Sequence, residues 1–96
     1  MINPVGYKIL KIGKSSSNDV YSIFYNDPTV SKIHCEIFID DSGNKFLTDL
    51  NSTNGTFVNG NKINNSVRLE KNDILKLGNT IFNWQAYPYD SDSKID

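Results

Sequence analysis

Asp49-Leu50-Asn51-Ser52-Thr53-Asn54-Gly55-Thr56-Phe57-Val58-Asn59-Gly60 is the stretch from which the rest of the chain is read. Nine of its twelve residues are Asp, Asn, Ser, Thr or Gly. Asn, Ser and Asp side chains compete for backbone hydrogen bonds and Gly adds backbone freedom, so a helix is excluded here. The segment reads as a tight polar loop that feeds a short strand over residues 56–58. Asn59-Gly60 then suits a primed hairpin turn into Lys62-Ile63. So many hydroxyls, amides and backbone N–H groups within a few residues suit an anion. On composition alone, an ordinary solvated turn is the commoner explanation.

Working outward, the same punctuation recurs. Candidate strands are 7–12, 20–25, 33–39, 45–50, 56–58, 62–63, 67–69, 74–77 and 80–87, separated by turn clusters such as Asn26-Asp27-Pro28, Asp40-Asp41-Ser42-Gly43-Asn44 and Gly78-Asn79. Eleven Ile and five Val stand against six Leu, one Met and one Ala, a balance poor for helix and good for strand. No window sustains an apolar 3.6-residue period over three turns. Many short strands with turns every eight to twelve residues imply an all-β fold, an antiparallel sandwich or barrel. Trp84, in the middle of the last long run, is expected in the core. There is no internal repeat.

Composition bounds the rest. Ninety-six residues make one domain, expected over residues 1–88, with a polar tail or linker start over 89–96. Ten Lys and Arg nearly balance eleven Asp and Glu, so no net field draws the chain to nucleic acid or an anionic membrane. A lone cysteine, Cys35, excludes an intrachain disulfide and fits a reducing compartment. No apolar run approaches the roughly 20 residues that cross a bilayer, and the N-terminus lacks a signal pattern. The expected setting is the cytoplasm.

Three polar clusters lie between the strands: residues 13–18 (Gly13-Lys14-Ser15-Ser16-Ser17-Asn18), 31–34 (Ser31-Lys32-Ile33-His34) and the opening loop. Loops at one end of a sandwich converge in space although they lie far apart in sequence. Together these supply two lysines, several hydroxyls and the Asn54 amide. A phosphate group demands a cation and a cage of donors, since it brings a charge of about −1.5 to −2 and three acceptor oxygens. Charge-assisted hydrogen bonds are worth roughly 1.5–3 kcal/mol each. One lysine with three or four donors is therefore enough for micromolar binding of a phosphopeptide.

Ile12-Gly13-Lys14, then Ser31-Lys32-Ile33-His34, then the run from Asp49 to Gly60 occur in an order and spacing that resemble the forkhead-associated (FHA) domain, over roughly residues 5–87. The resemblance implies an antiparallel β-sandwich of about eleven short strands that binds phosphothreonine in a partner protein and discriminates against phosphoserine through a slot for the γ-methyl group. It further implies that the Ser31 hydroxyl donates to the phosphate, and that Thr53 adds a second hydroxyl or backbone bond. Asn54 would hold the peptide backbone beside the phosphothreonine, and Lys32 would add charge. Gly13 and Gly55 would serve backbone geometry through positive φ. His34 would tie the Ser31 loop to a neighbouring loop without touching ligand. The family pattern usually has Arg after the first Gly, and here stands Lys14. Lysine is a point charge on a flexible stem where arginine is a planar fork, so weaker and less strict binding is expected. Only twelve residues precede Gly13, so the first strand is short or lies within residues 1–5.

Other chemistries fail on physical grounds. Gly13-Lys14-Ser15 is no nucleotide loop, because position 8, where that motif needs Gly, is Lys8, and no helix pattern follows. His34 and Cys35 are strand neighbours whose side chains diverge, which argues against a thiol–imidazole pair and makes Cys35 a small core residue. One His and one Cys cannot close a zinc site, and no acidic run has calcium-loop spacing. No aromatic lies in the three clusters to stack a sugar. The expectation is a non-enzymatic module without cofactor or metal. It would be a monomer or part of a larger protein, and its partner would be phosphorylated by a Ser/Thr kinase. The alternative is a phosphate-independent interaction domain on the same scaffold.

Overall fold

The computed structural model describes residues 8–89. A first strand within residues 1–5 and the polar tail over 90–96 lie outside them. Alternating apolar residues organise the chain into β1 (Lys8–Ile12), β2 (Cys35–Ile39), β3 (Lys45–Asp49), β4 (Thr56–Val58), β5 (Asn61–Lys62), β6 (Val67–Arg68), β7 (Leu75–Leu77) and β8 (Thr80–Phe82). One sheet runs β1-β2-β3-β6 and the other β5-β4-β7-β8, with every neighbouring pair antiparallel. This is the antiparallel β-sandwich expected, with eight strands among the described residues rather than about eleven.

Register explains the core. Leu10 faces Ile37, Ile37 faces Leu47 and Leu47 faces Val67, so one inward row crosses the first sheet. Val58, Leu75 and Phe82 make the matching row of the second. Directly opposed residues on antiparallel strands share a face, and so each row presents its apolar groups together. Ile37, Leu47, Leu75 and Leu77 are fully buried, with Phe24, Val30 and Trp84 closing the open sides. Cys35 is a core residue in the same cluster, where burial raises its thiol pKa and keeps it protonated.

One expected strand is absent and another is cut short. Over 20–25, Val20 only bridges Ile12, and Ser22–Phe24 forms a single 3-10 turn closed by Phe24 N–H to the Tyr21 carbonyl at 2.9 Å. The buried residues of this run, Val20 and Phe24, are four apart, while Tyr21, Ile23 and Tyr25 between and beyond them are exposed. That spacing turns the chain rather than extending it. Over 80–87 the strand stops at Phe82, and Trp84–Ala86 is a second 3-10 turn. Turning there brings the Trp84 indole N–H to the Asp73 carbonyl at 2.8 Å, so the ring is buried with its donor satisfied. Tyr89, assigned to the tail from sequence, belongs to the domain: it stacks edge-on against Tyr87 and donates its hydroxyl to the Trp84 carbonyl.

Leu47→Ala is expected to cost about 2–5 kcal/mol in urea unfolding, because it empties the centre of the first row. Ile81→Ala, at a position 62% exposed, should change stability by less than about 0.5 kcal/mol.

Candidate functional site

The opening loop folds onto one carboxylate. Asp49, at the end of β3, accepts from the Ser52 N–H at 3.0 Å, from the Ser52 hydroxyl and from the Thr56 hydroxyl at 2.7 Å. Ser52 Oγ in turn accepts from the Gly55 N–H at 3.0 Å. The backbone closes this circuit through two left-handed residues, Asn51 at φ 66° and Gly55 at φ 93°. Asn tolerates that region and Gly adopts it without a Cβ penalty. With its polar ends turned inward, the loop presents Thr53 and Asn54 to solvent at its tip.

A buried imidazole joins this loop to the next. His34 Nδ1 accepts from the Ser31 N–H at 3.0 Å, so the ring proton resides on Nε2, which donates to the Gly55 carbonyl at 2.9 Å. His34 is fully buried, and its backbone also bonds to Ile12 and Leu50. Thus tethered, the Ser31 hydroxyl oxygen accepts from the Thr53 N–H at 3.0 Å, which leaves its own O–H to donate elsewhere. Asn54 Nδ2 donates to the Thr29 carbonyl at 3.0 Å, a bond that leaves its Oδ1 and second amide hydrogen for other partners.

The third cluster docks on the same loop. The Lys14 N–H donates to the Ser31 carbonyl at 3.0 Å and the Ser15 N–H to the Lys32 carbonyl at 3.1 Å. Asn18 Nδ2 bonds both the Ser15 and Lys32 carbonyls, at 2.8 and 2.7 Å. Gly13 does not have a positive φ, contrary to the sequence reading. Its requirement is space, since a Cβ there would lie 2.3 Å from the Lys32 carbonyl oxygen.

All three predicted clusters therefore meet at one end of the sandwich. Ser31, Thr53 and Asn54 form a contiguous set, and Lys14 adjoins Ser31 through its backbone. Lys32 is exposed and meets the other loops through its carbonyl. Sequence reasoning gave no role to Asp49, Ser52, Asn18 or Thr29. Asp49-x-x-Ser52 is a legible signal, because Asp before a turn bonds the backbone that follows. Thr29 had none: its hydroxyl accepts from the Asn79 N–H at 2.8 Å, fifty residues away. Beside it, hydroxyl bonds from Thr29 and then Thr80 pull the Asp27 carboxyl down to about 2. No group of three His, Cys, Asp or Glu among the described residues is placed to hold a metal ion.

Burial pushes the Asp49 carboxyl up, but the Ser52 and Thr56 bonds outweigh it and hold it below the ordinary carboxylate value. A folded pKa below the unfolded one gives stability that is whole above about pH 5 and is lost as pH falls through the folded value. Asp49→Asn should accordingly lower stability at pH 7 and flatten its decline between about pH 5 and pH 2, read by urea unfolding across that range.

A family model described as the FHA domain matches residues 10–78. The uncharacterised protein C3H7.13 of Schizosaccharomyces pombe is 35% identical over 86 residues, covering 78% of this chain and 29% of that protein. The chain thus spans less than a third of that relative's length. The FHA domain of CT664 from Chlamydia trachomatis is similar in structure, with a TM-score of 0.68 at 29% identity over 77% of this chain and 71% of that one. So is the N-terminal FHA domain of Rad53p from S. cerevisiae, in complex with a phosphothreonine peptide, with a TM-score of 0.67 at 28% identity over 81% and 61% of the two chains. The matched span begins in β1, ends in the β7–β8 turn and encloses all three converging loops; this chain belongs to the FHA domain family.

Proposed function

We propose that this chain is a phosphothreonine-dependent protein-binding module that acts by recognition and performs no chemistry of its own. One observation carries the reading. The Ser31 hydroxyl oxygen accepts from the Thr53 N–H at 3.0 Å, which keeps its O–H for another acceptor, and the exposed Thr53 and Asn54 stand beside it. The family resemblance assigns those three positions to a phosphothreonine and the peptide backbone next to it. The relative from S. cerevisiae, with the same fold, is in complex with a phosphothreonine peptide.

In this reading Ser31 and Thr53 donate to the phosphate oxygens, and Asn54 holds the adjoining peptide bond with the groups that its Thr29 contact leaves unused. Lys14 and Lys32 offset the phosphate charge. The phosphate is placed on the partner by a Ser/Thr kinase, and the domain binds it as a monomer or as part of a larger protein. Lys14 favours a second reading, a phosphate-independent interaction domain, because lysine lacks the fork that clamps two phosphate oxygens.

The test is calorimetric titration with a degenerate phosphothreonine peptide library and its phosphatase-treated copy. Micromolar binding that disappears on dephosphorylation is expected. Ser31→Ala should weaken it about 10- to 100-fold, the worth of one charge-assisted hydrogen bond, and Asn54→Ala about 10-fold, through the loss of neutral bonds to the peptide backbone. Lys14→Arg should tighten it about two- to fivefold by supplying the planar fork. Binding that survives phosphatase treatment would establish the second reading instead.

A further inference from the structure

Asn54 belongs to a second feature. It lies at one end of a cleft of about 340 Å³ on the outer face of the second sheet. Thr29, Gly78 and Asn79 share that end; Phe57 and Lys76 line the cleft's length, and it reaches Gly60 in the β4–β5 turn. The cleft thus follows β4 from the recognition loop to the opposite end of the strand. β4 itself rises about 7 Å at about 3.3 Å per residue step, so the track takes a few residues of an extended peptide.

The chemistry of this track has one sign. Phe57 is paired with Lys62 on one side and Lys76 on the other, so two lysines stand beside one half-buried aromatic residue on the same face of the sheet. Lys62 lies along Gly55, whose Cβ position would be 2.9 Å from the Lys62 Cε. No residue lining the cleft is acidic. Asp27, beside Thr29, already accepts the hydroxyls of Thr29 and Thr80, and Asp73, beside the β4–β5 turn, accepts from the Asn59 amide at 2.8 Å. Among the described residues, no carboxylate pairs with Lys62 or Lys76.

We propose that this cleft takes the stretch of the bound peptide that adjoins the phosphothreonine and selects an acidic residue there. The selected Asp or Glu carboxylate meets Lys76, and the flanking aliphatic part of the peptide lies on Phe57. The inference rests on the phosphothreonine reading of Ser31 and Asn54. Two things support it: the cleft is continuous with that site through Asn54, and its charge complements a carboxylate and repels a basic side chain. Lys76 is then a specificity-determining residue that adds selectivity without contacting the phosphate.

The probe is an oriented peptide library with phosphothreonine fixed and Asp, Glu, Ala or Lys placed in turn at each of the four positions on either side. The wild-type chain should prefer Asp or Glu over Lys at one or two positions on one side only. Each acidic substitution should gain about two- to fivefold in affinity over Ala, the range of an exposed ion pair, with the gain shrinking at high salt. Lys76→Ala should abolish the preference and Lys76→Glu invert it, with the requirement for phosphate retained in both. NMR signals of Phe57 and Lys76 should move on addition of the preferred peptide. An acidic preference that persists in Lys76→Glu, or no preference at any position while Ser31→Ala still abolishes binding, overturns the cleft and leaves the phosphate site standing. Failure of every phosphorylated peptide to bind overturns both.

Discussion

The recognition end of this domain depends on one neutral imidazole. His34 fills a fully buried position between two loops and uses both ring nitrogens, one as acceptor for the Ser31 N–H and one as donor to the Gly55 carbonyl. Neutral histidine is the side chain that offers a ring acceptor and a ring donor on opposite edges. Remove it, and the part-buried Ser31 N–H loses its partner at a cost of about 1–3 kcal/mol, while the Gly55 carbonyl keeps only the Gly78 N–H at 3.3 Å. The register between the loops would go with them. Ser31 Oγ reaches the Thr53 N–H, and Asn54 reaches the Thr29 carbonyl, only while Ser31 and Gly55 are held at this separation. The Ser31, Thr53 and Asn54 side chains are thus positioned by a residue that is itself fully buried.

Below that tie, the loops satisfy their own polar groups before any ligand arrives. Asp49 absorbs the donors of Ser52 and Thr56, and Asp27 those of Thr29 and Thr80. Both carboxylates are held ionised by these bonds, so they act as fixed acceptors inside the loops, and the tip is left to donors and cations. Such preorganisation would lower the ordering cost of the binding proposed for this surface. The sandwich supplies rigidity from the other side, through the fully buried row of Leu10, Ile37 and Leu47 facing Leu75 and Leu77.

Much of this was legible in the residues. Alternation located the strands in both sheets to within two residues at most ends, and Asn59-Gly60 forms the primed turn that its chemistry demands, with φ of 54° and 85°. The misreadings share a cause. Residues 20–25 are rich in β-branched and aromatic side chains, yet no neighbouring strand is available to pair with them, and they form a turn instead. Residues 80–87 look like one strand until Trp84 is drawn aside to satisfy its N–H on Asp73. Gly13 carried a correct signal with the wrong explanation, since it answers to a carbonyl nineteen residues away rather than to its own φ. Propensity describes a residue's own backbone, whereas each of these outcomes was decided by a distant partner.

By itself, the sequence determined the all-β class, the polar clusters and the residue types that suit a phosphate, because period-two alternation and turn chemistry act between near neighbours. It also carried the family pattern that singles out Ser31, Thr53 and Asn54. Only the tertiary structure decided which groups touch. The Ser31–Thr53 bond spans 22 residues, His34 to Gly55 spans 21, and Thr29 to Asn79 spans 50. The cleft along Phe57 and Lys76 exists because β4 and β7 pair in one register and not another. Register and loop convergence follow from how two sheets bury their apolar faces together, and that packing is a property of the whole chain rather than of any segment.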